Sequence, residues 1–242
     1  MNENPIKSGP ANSVSPSTKI IQNPYDQIAD YRDGVFNFSF QTSLQWMEER
    51  GKILFGNHFE IVETDYDLIY RLLVYAIGDL ENSARYGINL RKGILLTGPI
   101  GCGKTSLMQL ICYFFPRETQ YQVKPTREIS FEFEKDGFAV INQYSKGSFV
   151  RYANMPFLPK VYCFDDLGLE HTPRYYGNEC NVMAEILLNR YDFFVSKRML
   201  THITTNLSAS ELESIYGNRI RSRMREMFNL IAFERDAKDK RA

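Results

Sequence analysis

The stretch GILLTGPIGCGKTS, Gly93 to Ser106, constrains this chain more than any other. The apolar run GILLT reads as a buried strand, and KTSLMQLICYFF places Leu107, Leu110, Ile111 and Phe114 on one helical face, with Pro116 ending the pattern. Between them, Gly98, Gly103, Lys104 and Thr105 fill every fixed position of G-x-x-x-x-G-K-[ST]. Glycines at this spacing let backbone N–H groups turn inward around phosphate oxygens without Cβ clashes. The helix that follows points its positive end at the same anion. The expected phosphate cradle is therefore Gly98, Pro99, Ile100, Gly101, Cys102, Gly103, Lys104, Thr105 and Ser106. Lys104 is suited to neutralising β- and γ-phosphate charge, and the Thr105 hydroxyl to binding Mg²⁺.

A second stretch, KVYCFDDLGLE (Lys160 to Glu170), carries two carboxylates to the end of an apolar run. Burying unpaired charge costs several kcal/mol, so something must meet them. In a phosphate-binding α/β fold a second strand is expected beside the first, ending in an acid that holds Mg²⁺. Asp165 fits that role. Asp166 is the candidate for polarising the attacking water, although aspartate is one methylene shorter than glutamate. Glu170, beyond Gly168, reads as a solvated loop residue.

Around these motifs, strands alternate with helices, which argues for a parallel sheet covered on both sides. TREISFEFEKDGFAVINQY is ambiguous: alternation and Asp136-Gly137 suit a hairpin, whereas Thr126 as a cap with Ile129 and Phe133 at i, i+4 suits a helix. The α/β alternation favours the helix. Thr64 is expected to cap an earlier helix whose apolar stripe is Ile69, Leu72, Leu73, Ala76 and Leu80. Later elements are a helix through NVMAEILLNRYDFF, a strand in MLTHITTN, a helix near 209–228 and a last strand in NLIAF. Residues 1–24, rich in Asn, Pro and Ser, read as a disordered arm. Residues 25–60 read as a small N-terminal extension and 61–242 as the main domain. Few residues follow Phe233, so no full C-terminal lid is expected.

Lys plus Arg and Asp plus Glu are 29 each, so global charge points to no partner. No secretion signal and no apolar run of ~18 residues is evident, and a cytoplasmic protein is expected. Cys102, Cys112, Cys163 and Cys180 show no C-x-x-C pair, so neither a disulfide framework nor a zinc site is suggested.

THITTN ends a third strand on the same sheet edge, and Asn206 could hydrogen-bond a γ-phosphate or the attacking water. GNRIRSRMREMF forms a helix with Ile220, Met224, Met227 and Phe228 in one stripe. Arg219 and Arg223 then share one flank, Arg221 and Arg225 the other. YSKGSFVRY interleaves Tyr144, Phe149 and Tyr152 with Lys146 and Arg151, a pattern that suits single-stranded DNA and equally a loop with inward-packed aromatics.

KGILLTGPIGCGKT, FDDLGLE, TTN and YGNRIRSRM occur in the order and approximate spacing of the DnaC/IstB-like AAA+ ATPases. These are bacterial helicase loaders and ATPase subunits of insertion-sequence transposition, and the resemblance spans roughly residues 61–235. It implies an AAA+ type P-loop fold and ATP hydrolysis with Mg²⁺. It also implies assembly into an ATP-bridged homo-oligomer and action on DNA or on a DNA-bound replicative helicase or transposase. By the same resemblance Asn206 is similar to the first sensor, Arg223 to the arginine finger with Arg219 second, and Arg235 or Arg241 to a late phosphate-contacting arginine. Alternatives are an ATP-switched binding module with little hydrolysis and a small-molecule kinase. The latter would need an acceptor pocket and an arginine-rich lid, neither of which is apparent.

Overall fold

The computed structural model describes residues 6–7, 23–151, 157–170, 174–175 and 178–240, with the backbone alone for 6–7, 174–175 and 178–179. Two compact units are present: residues 1–90 with 106–120, and residues 91–105 with 121–242.

In the first unit, β1 (Ile6–Lys7), β2 (Ala29–Arg32) and β3 (Val35–Phe38) form an antiparallel sheet in the order β1-β3-β2. Helices α1 (Pro24–Gln27), α2 (Phe40–Phe55), α3 (Tyr66–Ile77) and α4 (Leu80–Arg85) accompany it. Most of the arm expected over 1–24 lies outside the described residues. The extension expected over 25–60 shares a core with residues 106–120: Trp46 meets Phe114 edge-on at 5.4 Å, and Tyr25 Oη donates to the Phe114 carbonyl at 2.8 Å. Two expectations fail on α3. Thr64 lies in a 3₁₀ turn (Glu63–Asp65) and makes no cap, and the stripe ends at Ile77 because Gly78, at φ 71°, turns the chain into the left-handed region. Leu80 starts the next helix and is 70% exposed.

The second unit is α/β. Its strands are β4 (Gly93–Thr97), β5 (Tyr121–Pro125), β8 (Val161–Asp165), β11 (Thr201–Thr205) and β12 (Phe228–Ala232). They form one sheet in the order β12-β4-β11-β8-β5, every pair parallel. The runs are short, and Ile94, Leu96, Phe164 and Ile203 are all fully buried, as expected for a sheet covered on both faces. Helix α5 (Lys104–Ile111) follows the glycine loop. The ambiguous segment is helical: α6 (Thr126–Asp136) and α7 (Phe138–Tyr144), divided at Gly137. Thr126 does not cap α6 through its side chain. A small antiparallel pair, β6 (Phe149–Arg151) with β7 (Phe157–Pro159), and a second, β9 (Arg174–Tyr175) with β10 (Asn178–Glu179), flank β8 in sequence. Helix α8 (Val182–Lys197) is capped by Asn181, and α9 (Ala209–Met227) opens with a Ser208–Glu211 capping box and kinks at Gly217.

One core unites α6 through α9 with the sheet, through Ile129, Phe133, Tyr144, Leu187, Ile220 and Met224 against Leu95, Tyr162 and Phe164. Register brings the C-terminal strand ends to one edge: Thr97 pairs with Thr205 and Ala232, and Pro125 with Asp165. That edge carries the candidate site.

Candidate nucleotide-binding site

The loop between β4 and α5 has the backbone its glycines permit. Gly101 has φ 80° and Gly103 φ 97°, where a side chain would be strained. A Cβ at Gly98 would lie 2.7 Å from Phe233 Cβ and 3.0 Å from Cys102 Sγ. Lys104 is nearly buried, and its ammonium donates to the carbonyls of Gly98 at 3.0 Å and Pro99 at 2.8 Å. The segment after β12 returns to this loop, where the Lys240 N–H donates to the Gly101 carbonyl at 3.0 Å. A methyl group at Gly101 would run into the Asp239 carboxylate. Ser106, the last residue of the expected cradle, belongs to the other compact unit.

Asp165 closes β8 at 4% exposure. The Thr105 hydroxyl shares its proton between both Asp165 oxygens at 3.0 Å, and Thr204 Oγ1 donates to Oδ1 at 2.7 Å. Burial pushes the Asp165 carboxyl above its ordinary range. The hydrogen bond from Thr204 opposes the shift, the charge of Asp166 adds to it, and the Thr105 bond and Lys104 charge oppose it. Among the described residues no Lys or Arg side chain pairs with Asp165. A buried carboxylate short of positive charge, touching the threonine hydroxyl at the start of α5, is an oxygen donor set that fits Mg²⁺.

The neighbour relation expected from sequence needs correcting. β8 does not run beside β4, because β11 is inserted between them and pairs with both. The acid and the loop therefore meet across a strand, and the polar end of β11 lies between them.

Asp166 follows in the left-handed region, at φ 55°. Its N–H donates to Thr204 Oγ1 at 2.8 Å, and its carbonyl accepts from Thr126 Oγ1 at 2.9 Å. Thr126, read from sequence as a helix cap, thus ties the start of α6 to the acidic turn. Glu170 is not simply solvated: it accepts from the Gly168 N–H at 2.8 Å and from the Tyr216 hydroxyl.

Asn206 follows β11, and its Oδ1 is buried without a hydrogen-bond partner among the described residues. It lines a cleft of about 580 Å³ together with Gly98, Pro99, Arg221, Arg225 and Arg235. The two flanks of α9 separate as the spacing predicts. Arg223 turns away from this cleft and lies over the Tyr191 ring of α8 at 4.6 Å, and Arg219 is exposed. Arg241 lies outside the described residues. Of the aromatic and basic run at 144–152, Tyr144 is core, packed on Tyr162 at 5.2 Å, and Phe149 packs on Phe193 at 5.6 Å. Tyr152 is outside the described residues, and only Lys146 and Arg151 are exposed.

Sequence alone does not reveal Thr204 or the bond from Thr126 to the acidic turn. The first had a signal: two adjacent threonines at the end of an apolar strand, where β-branched residues with hydroxyls can pack and bond at once.

A glycine loop opening a helix and an acid at the end of a parallel strand define an α/β fold whose five-stranded parallel sheet is flanked by helices, with the loop and the acid on one sheet edge. No protein-family model matches the chain, and no curated protein does. Among solved structures it is similar to the DnaC helicase loader, with 16% identity over 74% of this chain and 95% of that one, at a TM-score of 0.47. It is also similar to DnaI, with 22% identity over 59% of this chain and 73% of that one (TM-score 0.42). A third is the replication initiator DnaA bound to AMPPCP and single-stranded DNA, with 16% identity over 75% and 50% (TM-score 0.45). Among the described residues no helix is long and apolar enough to cross a membrane.

Proposed function

We propose that the chain binds ATP with Mg²⁺ and hydrolyses it, as an AAA+ protein acting on DNA or on a DNA-bound partner in the manner of replicative helicase loaders. The observation that carries the catalytic part is the direct contact of Thr105 with Asp165 beside the Lys104 loop. Residues 98–105 would receive the phosphates on backbone N–H groups. Lys104 would leave the carbonyls of Gly98 and Pro99 for phosphate oxygens. Thr105 and Asp165 would hold Mg²⁺, which when bound offsets negative charge on the β- and γ-phosphate oxygens. Asp166 would orient the attacking water and accept its proton, and the buried, unpartnered Asn206 Oδ1 supports a contact from the Asn206 amide to that water.

Arg223 faces α8 of its own chain, so a catalytic role for it requires a second copy, with Arg219 the other candidate. That is the basis for proposing an ATP-bridged homo-oligomer. The DNA-linked part rests on the order of the four sequence motifs, which a transposition ATPase of the IstB type would share.

The site is tested by Lys104→Ala, which should weaken ATP binding at least ~100-fold, since several charge-assisted bonds go with it. Unchanged affinity and turnover would reject the site. Arg223→Ala should bind ATP normally and turn none over, and mixing it with Lys104→Ala should restore activity. A second reading, an ATP-switched binding module, is favoured by aspartate rather than glutamate at position 166. Tight ATP binding without turnover, with DNA and a partner supplied, is its signature.

A further inference from the structure

The hydroxyl of Thr204 touches both acids at once. It is fully buried, donates its one proton to Asp165 Oδ1 at 2.7 Å and accepts the Asp166 N–H at 2.8 Å. A hydroxyl has one donor and two acceptor positions, so these two bonds take its donor and one acceptor. We propose that Thr204 is a positioning residue that sets the Asp165 carboxylate for the metal and holds Asp166 in its left-handed backbone for the water. This deepens, and rests on, the reading of residues 98–105 and Asp165 as an Mg²⁺–nucleotide site.

Three features support it. First, Thr204 sits on the inserted strand, paired with Leu96 of β4, so its hydroxyl is fixed by the sheet rather than by a loop. Second, the whole turn after Asp165 is fastened to β11: the Leu167 N–H donates to the Thr204 carbonyl at 2.8 Å, and Thr205 Oγ1 donates to the Leu167 carbonyl at 2.6 Å. Third, Asp166 at φ 55° is held from the opposite side by Thr126. Aspartate and asparagine enter the left-handed region more readily than other side chains. The short acid at 166 is then the residue its backbone calls for, and glutamate would lose more in conformation than it gains in reach. The carboxylate is delivered to the water by the turn, and the turn is set by Thr204.

The experiment compares Thr204→Val, Thr204→Ser and Asp166→Glu with the wild type. Fluorescent ATP binding in EDTA, the Mg²⁺ concentration for half-maximal effect, turnover and melting temperature are measured on each. Thr204→Val should keep its affinity in EDTA and raise the Mg²⁺ requirement ~10-fold, the size expected for one charge-assisted hydrogen bond. Its turnover should fall further, because Asp166 is released as well. Thr204→Ser retains the hydroxyl and should recover most of both. Asp166→Glu should lower turnover rather than raise it. If Thr204→Val proves unstable at the assay temperature, Thr204→Ala gives the same reading by removing the hydroxyl together with the γ-methyl. A hydroxyl-free variant with wild-type Mg²⁺ dependence and turnover overturns the proposal, as does a serine variant no better than valine. A wild type that binds no nucleotide at all would instead reject the site itself.

Discussion

The two ends of one strand pair, β8 and β11, each bury a charge, and they treat it in opposite ways. At the N-terminal end, Arg190 of α8 is fully buried. Its guanidinium donates to Thr201 Oγ1 at 2.7 Å and to the carbonyls of Tyr144, Lys160 and Leu200 at 2.9, 3.0 and 2.7 Å. The rings of Tyr162 and Phe164 lie 5.4 and 5.6 Å from it. Four of the five donors of an arginine are thus used, and among the described residues no carboxylate is involved. Burial lowers its pKa to about 9, which still leaves it charged at neutral pH. At the C-terminal end, Asp165 is also buried, is met by two hydroxyl donors and pairs with no Lys or Arg side chain among the described residues, and burial raises its pKa. A buried charge whose bonding capacity is met locally holds a fold together. One left under-compensated on the ligand-binding edge of a parallel sheet is a place for something to bind.

This contrast predicts opposite signs for two neutralising substitutions. Arg190→Ala removes the donor to three carbonyls and a hydroxyl at a fully buried position and should destabilise the protein by about 4 kcal/mol or more, read from urea unfolding. Asp165→Asn should leave stability unchanged or raise it by up to ~1 kcal/mol, since it relieves a desolvated charge. If both variants unfold alike, Asp165 is structural and the distinction collapses.

A third buried polar residue sharpens the comparison through pH. His202, between the two ends on β11, is fully buried and accepts the Ile94 N–H on Nδ1 at 3.1 Å. Burial lowers its pKa from 6.5 to about 3, with the charge of Arg190 adding to the effect. Between these values the unfolded chain holds the proton and the folded one does not. Its contribution is therefore complete above pH 6.5 and is lost as pH falls toward 3. From pH 6.5 to 5 the wild type should lose about 2 kcal/mol of stability from this group. His202→Asn, which keeps an acceptor there, should show a correspondingly shallower dependence. The smallest effect belongs to an exposed pair: Lys52–Glu48 at 2.5 Å, 43% and 35% exposed, should contribute no more than ~0.5 kcal/mol and fade with salt.

The parts of this molecule that were legible in the sequence are those set by local pattern. The glycine loop demanded one backbone, the apolar runs demanded buried strands, and the stripe Ile220–Met224–Met227 set α9 and the opposite facing of Arg223 and Arg221. What could not be read was pairing across the chain. Strand order is not encoded in any single segment, so the insertion of β11 between β4 and β8 was missed, and with it Thr204. Thr126 looked like a cap because capping chemistry and a bond to a distant carbonyl use the same hydroxyl. Arg190 sat inside an ordinary helical pattern, and only the fold shows three carbonyls converging on it. For Tyr144 the sequence leaves nucleic-acid contact and inward packing equally open, and its ring packs inward on Tyr162 and Phe164. The stripe expected for α3 extends to Leu80 because helical spacing persists by chance past the left-handed stop at Gly78.

Isothermal titration of ATP into wild type and Asp165→Asn, each with and without Mg²⁺, tests the central claim most directly. The account predicts equal binding of the two proteins in EDTA and a gain from Mg²⁺ in the wild type alone. Wild type that ignores Mg²⁺, or Asp165→Asn that gains as much from it, would contradict the account.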